Sequence, residues 1–258
     1  MKPILFVGSG FLIFVLIAVL ARSCQDDPYI YDSEVEQLFS DGMSSSDVGT
    51  EDEFAPGKMS AGVSDWPDSI FSLVTDADYL SQIDKAVVCE LNKCRTNPSR
   101  YADEVLRPFM EAISSEGTFI DSEGFGILTK EGVSAVEEAI NALDAQVSRP
   151  MLRPRRSLCL ASADHCKDQG QKGLVGHNGS DGSTPLSRVL RYNRGCKGCG
   201  ENIDYGSKTG VEIVRSLIVD DGVPSRGHRK NIFQDYHHVG TAFGPHAVFR
   251  YMCVIDFE

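Results

Sequence analysis

The sequence predicts an α+β domain in which helices pack over a small, mainly antiparallel sheet. Three observations predict it. Apolar residues recur at helical spacing through the middle of the chain, the spacing changes to alternation at its end, and the helical signals all precede the strand signals.

The elements follow in order. Leu80, Ile83, Val87, Leu91 and Cys94 lie at steps of three and four and lay one apolar stripe along a first helix, with order beginning near Asp78. Asn97-Pro98 restarts a helix, Asn as N-cap and Pro in its first turn, with Tyr101, Val105 and Phe109 stacked along it. Residues Ser114 to Gly132 read as a long loop. Ser134 and Glu137 form a capping-box pattern ahead of Val136, Ile140, Leu143 and Val147. Shorter helices are expected over Ser157 to Gln169, over Pro185 to Tyr192, and around Val211, Val214 and Ile218. Ala247 to Phe257 then alternates with apolar residues in both sets, the pattern of a strand covered on each side. His238 to Phe243 is its expected hairpin partner, turned at Gly244-Pro245.

The chain has 258 residues, of which 41% are apolar and 24% charged, the composition of a globular protein. Its net charge of −12 argues against a nucleic-acid partner, because phosphate binding needs a basic footprint. That charge is concentrated. Cys24 to Leu80 holds fourteen acids and the single base Lys58, a net −13, so the remainder sums to +1. Residues 24–77 are therefore expected to be an acidic, disordered segment that buries too little apolar surface to offset its ordering entropy.

Residues 1–23 read as a signal peptide or a signal anchor. Lys2 precedes the uncharged run Ile4 to Leu20, and small residues follow at Ala21 and Ser23. Seventeen residues of helix reach roughly 25 Å, just short of the ~30 Å hydrocarbon core. Either reading places the chain outside the cytosol, secreted or membrane-anchored, with membrane contact only through an uncleaved leader. Eight cysteines suit an oxidising compartment, and disulfides are expected in preference to a structural zinc at Cys196-Lys-Gly-Cys199, since no second pair follows at metal spacing.

Polar groups beyond ordinary structural need concentrate in three Gly-rich stretches: Gly176 to Ser183, Gly200 to Ile203, and Asp220 to Ile232. Glu90-Leu-Asn-Lys93-Cys-Arg95-Thr-Asn97-Pro98 with Tyr101-Ala102, His177-Asn178 with Arg188, Gly200-Glu201-Asn202-Ile203, and Gly227-His228-Arg229-Lys230-Asn231-Ile232 leading to His238-Val239-Gly240 occur in one order. Together they resemble the CAP superfamily, the cysteine-rich secretory, antigen 5 and pathogenesis-related proteins, in its bacterial and protist form. The resemblance runs from about residue 78 to 258. It implies an α-β-α sandwich whose central cleft is lined by two histidines and two acids: His177, Glu201, Asp220 and His228. Asp220, or its neighbour Asp221, stands where the family usually has Glu. Asn178, Arg188, Asn202 and Asp221 are the expected supporting residues.

Two imidazoles and two carboxylates admit two uses. They can hold a divalent cation such as zinc or magnesium, with His177 and His228 as metal ligands, or they can form a hydrogen-bonded network with no ion. No nucleophile is evident, because Ser180, Ser183 and Ser225 lack an aligned base and oxyanion site in the sequence. The resemblance implies recognition of a lipid or sterol ligand, or of an extracellular protein partner. The alternative is a metal-dependent hydrolase or peptidase using the same cleft, with Glu201 as general base. His165, His237, His238 and His246 read as structural.

Overall fold

The computed structural model describes residues 65–258; the leader and most of the acidic segment lie outside the described residues. Order starts earlier than the stripe at Leu80 suggests. Helix α1 (Asp68–Thr75) falls inside the stretch expected to be disordered, and it buries Ile70 and Val74. The sequence signal is weak there because a short apolar run sits in an acidic context. Helix α2 (Gln82–Thr96) is capped by Ser81, whose Oγ accepts from the Asp84 N–H. Helix α3 (Pro98–Tyr101) is capped by Asn97 and runs through a π turn at Ala102–Leu106 into α4 (Arg107–Ala112). Pro108 has no N–H to return to the preceding turn, which accounts for the widened winding.

The expected loop at Ser114 to Gly132 is instead a hairpin. Strands β1 (Thr118–Ile120) and β2 (Gly126–Leu128) pair antiparallel. Its turn is held by Asp121, whose Oδ1 accepts from the N–H groups of Glu123 and Phe125. Helix α5 (Val133–Asp144) has no capping box either; its N-cap is Gly132, and Ser134 lies inside the helix with its Oγ donating to the Glu131 carbonyl at 2.6 Å. The preceding N–H groups of Lys130 and Glu131 are taken by the distant Asp221 carboxylate at 2.6 and 2.7 Å. A tertiary partner thus replaces the local cap.

A four-stranded sheet follows, formed by β3 (Arg153–Pro154), β4 (Gly200–Tyr205), β5 (His238–His246) and β6 (Arg250–Phe257) in the order β3-β5-β6-β4. The β3–β5 pair is parallel and the other pairs are antiparallel. The hairpin of β5 and β6 is the expected one, but β5 continues through Gly244-Pro245 and turns after His246. Gly200-Glu201-Asn202-Ile203, which reads in the sequence as a bend, is part of the buried edge strand β4.

Helices cover both faces, completing the α-β-α sandwich. On one side lie α6 (Arg156–Lys172) and α7 (Pro185–Tyr192). Cys166 of α6 packs in one cluster with Ile203, Ala242, Met252 and Val254, so the alternate residues of each strand face α6. Contact is so close at Gly240 that a methyl group there would strike the backbone of Leu158 and Cys159. On the other side lie α2, α8 (Gly210–Val219) and the short α9 (Gly227–Ile232).

Arg95, at the end of α2, is fully buried and, among the described residues, makes no ion pair, though the Asp235 charge acts on it. Its guanidinium donates to the carbonyls of Pro150 (3.0 Å), Ile232 (2.5 Å), Gln234 (3.0 Å) and Tyr236 (3.1 Å). Asn92, one turn earlier, clasps Leu152 through both its N–H and its carbonyl. These contacts explain the Asn and Arg of the first motif as structural residues. The described cysteines, expected to be paired, are all free thiols, and all but Cys199 are buried. Burial pushes the Cys89 and Cys159 thiols up to about 11, consistent with packing rather than reactivity.

Replacing Arg95 by Leu deprives the buried Ile232 carbonyl and three part-buried carbonyls of this donor. Urea denaturation of Arg95→Leu is expected to show a loss of at least about 3 kcal/mol, with Arg95→Lys recovering only part of it.

Candidate functional site

The site is built on a loop, a strand and a helix end. The loop from Leu174 to Ser183 would wander without tethers, and the fold supplies several. His246 and His165, both buried, donate from Nε2 to the carbonyls of Leu174 and Gly176, each at 2.9 Å. Gln169 donates to the same Gly176 carbonyl at 2.6 Å, and the Tyr205 hydroxyl accepts from the Gly176 N–H while donating to Gln169. Burial lowers the pKa of both histidines, which keeps them neutral in this tethering role.

His177 emerges from that framework. Its Nδ1 donates to Glu201 Oε1 at 2.7 Å. The other carboxylate oxygen, Oε2, accepts from Arg188 Nη2 at 2.5 Å, and Arg188 Nη1 donates to the carbonyls of His177 and Ser183. Thr184 caps α7 and so fixes the helix that carries Arg188. Burial alone would raise the Glu201 carboxyl, but the His177 hydrogen bond and the Arg188 charge outweigh it and hold the group below the usual range. Asn178 does not join this cluster. It is exposed, and only its carbonyl takes part, accepting from Gln169.

The second couple forms where α8 ends. Asp220 is its C-cap in the left-handed conformation, with φ 56°. The turn to α9 brings His228 back so that its Nδ1 donates to Asp220 Oδ1 at 2.6 Å, while its backbone N–H donates to Oδ2 at 3.0 Å. Asp220 is therefore the residue that holds His228. Asp221 points elsewhere, to Lys130 and Glu131, and pins the segment leading into α5.

The two couples reach the same short stretch of β4. Asn202 Nδ2 donates to the His228 carbonyl at 3.0 Å, and Asn231 Nδ2 donates to Asn202 Oδ1 and to the Glu201 carbonyl. Glu201 and Asn202 are successive strand residues, so their side chains leave opposite faces. Glu201 faces α6 and α7, and Asn202 faces α8 and α9. His177 and His228 are thus docked from the two sides of one edge strand.

Two buried acids in this region are not marked by any of the sequence motifs. Asp256 is the register partner of Glu201 on β6; its Oδ2 accepts from Ser162 Oγ at 2.8 Å and its Oδ1 has no hydrogen-bond partner. Burial, reinforced by the Glu201 charge, pushes its carboxyl far up. The signal that could have found it is a lone acid in the apolar alternation of the last strand. Asp204 lies on the other face, lining a small cavity with Asp220, Asp221, Ser216 and His228. Its Oδ2 also lacks a partner, and burial raises its carboxyl to about 6.

The donor set does not fit a tightly held metal. Both carboxylates of the expected tetrad are committed to imidazole Nδ1 atoms, so at most the two imidazoles could serve as ligands, whereas protein zinc sites use three or four protein ligands. Among the described residues no three His, Cys, Asp or Glu side chains are placed to hold an ion.

Residues 137–257 match the family model for CAP, described as the cysteine-rich secretory protein family. "Uncharacterized protein YkwD" of Bacillus subtilis (strain 168) is 28% identical over 116 residues, 43% of each chain, so the chain spans less than half the length of this curated relative. Two solved structures are also similar. An extracellular protein containing a SCP domain from Bacillus anthracis str. Ames has 20% identity and a TM-score of 0.36, covering 48% of this chain and 37% of that one. An outer surface protein from Borrelia burgdorferi has 17% identity and a TM-score of 0.37, covering 48% of this chain and 88% of that one.

Two outcomes are expected. Arg188→Leu strands the Glu201 anion beside Asp256 and should cost about 3–5 kcal/mol in thermal or urea unfolding, part of it recovered by adding Glu201→Gln. Asp204 binds its proton more tightly folded than unfolded, so it lowers stability as pH rises from 3.8 to about 6. Asp204→Asn should therefore stabilise the protein at neutral pH by on the order of 2–3 kcal/mol and have little effect near pH ~4, read as urea midpoints across that range.

Proposed function

We propose that this protein, whose residues 137–257 match the CAP family model, acts outside the cytosol by recognising a lipid, a sterol or a protein partner rather than by turning over a substrate. The observation that carries the reading is the commitment of the site's carboxylates. Glu201, the residue that a hydrolase would use as general base, is buried, paired with Arg188 and His177, and held below its ordinary pKa. A base with so little proton affinity is a poor catalyst.

The surroundings support binding. Leu174 and Val175 are exposed just ahead of His177, and exposed Val248 packs over the neighbouring Gly173, which gives an apolar rim beside the imidazole. A polar spot with a directed imidazole, bordered by apolar residues, suits recognition of an amphipathic partner. Among the described residues no helix is long and apolar enough to cross a membrane.

The test uses the purified full-length protein. It is incubated with vesicles containing a fluorescent sterol, and separately with casein and nitrophenyl esters, each with zinc and with EDTA. Saturable sterol uptake that Leu174→Asp or Val248→Asp weakens, without hydrolysis in either metal condition, is the expected result. Hydrolysis that EDTA stops and that His228→Ala abolishes in a folded variant would replace recognition with the hydrolase reading.

A further inference from the structure

A cavity of ≈ 90 Å³ lies beneath the β1–β2 hairpin, between it and helices α4, α5 and α8. It is separate from the histidine couples, whose imidazoles do not line it. Its walls are largely apolar, including Phe109, Phe119, Ile127, Val136 and Val219. The hairpin that roofs it precedes the residues matched by the CAP family model.

The roof is fastened on two sides. Arg250 pairs with Asp121 and Glu123 and stacks 4.2 Å from the Phe125 ring centroid, and Lys208 pairs with Glu123 at 2.7 Å. Asp221 holds the other end through the N–H groups of Lys130 and Glu131. The acids around the cavity are thereby occupied. Glu212 is occupied too, accepting from the N–H groups of Ser122, Lys208 and Thr209.

One charge is left over. Arg215 lines the cavity with its guanidinium 3.9 Å from the Phe109 ring centroid and 5.6 Å from that of Phe119. Apart from these ring contacts, among the described residues it has neither a hydrogen-bond nor an ion-pair partner; the Glu212 and Asp204 charges act on it only from beyond ion-pair distance and do not outweigh its burial, which lowers its pKa. A cation in such walls is costly unless an anion joins it, and aromatic faces compensate only partly. Five N–H donors in a planar fork match a carboxylate.

We propose that this cavity is a binding site for a compact carboxylate with an apolar body, whose head group pairs with Arg215 and whose body packs between Phe109, Phe119 and Ile127. Size supports the choice. An apolar cavity of roughly 150 Å³ encloses benzene whole, so a space of ≈ 90 Å³ open at its mouth takes a short alkyl chain or part of one ring, the rest standing in the mouth, and is too small for a sterol. The inference therefore goes beyond the recognition reading and stands independently of it.

The experiment is calorimetric titration of the full-length protein with benzoate, hexanoate, palmitate and the neutral analogue benzamide. Benzoate and hexanoate are expected to bind saturably, with benzamide weaker by at least about tenfold. Arg215→Gln should remove at least about tenfold of the carboxylate affinity while sparing benzamide, and Ile127→Trp, which fills the cavity with Arg215 in place, should abolish binding of both. Folding of each variant is checked by circular dichroism; if Arg215→Gln does not fold, the comparison of benzoate with benzamide and the Ile127→Trp titration decide the matter. Equal binding of benzoate and benzamide, unchanged binding in a folded Arg215→Gln, absence of carboxylate binding up to about 10 mM, or preference for palmitate over hexanoate each overturns the proposal.

Discussion

The buried guanidinium of Arg95 is the constraint on which the rest of the described structure depends. A cation removed from water needs compensation, and here its hydrogen bonds all go to four main-chain carbonyls. Two of those carbonyls belong to the segment between α9 and β5, one to the last residue of α9, and one to the approach to β3. The side chain therefore sets where α9 stops, where β5 begins and how the short parallel strand meets it. His228 rides on that α9, so its position follows from a residue far away in sequence.

The histidine couples show the same economy. Each imidazole is oriented through Nδ1 by one carboxylate, and each carboxylate has a second anchor: Arg188 for Glu201, and the His228 backbone N–H for Asp220. The loop carrying His177 is itself held by two neutral buried histidines, a glutamine and a tyrosine. Such a network is rigid because each imidazole, each carboxylate and both terminal nitrogens of Arg188 are tied to a partner, although the buried Arg188 Nε has none. Among the acceptors left without a partner are Asp204 and Asp256, each buried with one unbonded oxygen, one on either face of the sheet. They place proton-linked groups within the core next to both couples, which ties the stability of this edge to pH.

Long amphipathic helices are legible in the sequence because their apolar spacing is a local property: the stripe from Ile83 to Cys94 and the run around Val214 identify helices whatever surrounds them. The last strand is legible from its alternation. Strand β4 is not, since its glycine and polar residues look like a bend until β6 is laid beside them. The hairpin at residues 118–128 is hidden for a related reason, each strand being only three residues long and stabilised by ion pairs to Arg250 and Lys208 that no local pattern announces. At the site, the motif residues His177, Glu201, Asp220 and His228 can be named from their order, and Asp220 can be preferred over Asp221. Nothing in that order reveals that Asn178 turns outward, that Asp204 and Asp256 lie buried beside the couples, or that half-buried Arg215 lines the cavity.

The amino-acid order alone carried the helix stripes, the cap at Asn97 and the final strand, because hydrophobic periodicity is written residue by residue, while the two imidazoles and two acids were implied by the resemblance of its motifs to a family. Tertiary structure alone decided the pairing of each histidine with its acid, the opposite-face approach of the couples to β4, the thiol state of the described cysteines and the unpaired charge of Arg215. These depend on distances between residues remote in the chain, and such distances exist only once the sheet has brought its strands into register.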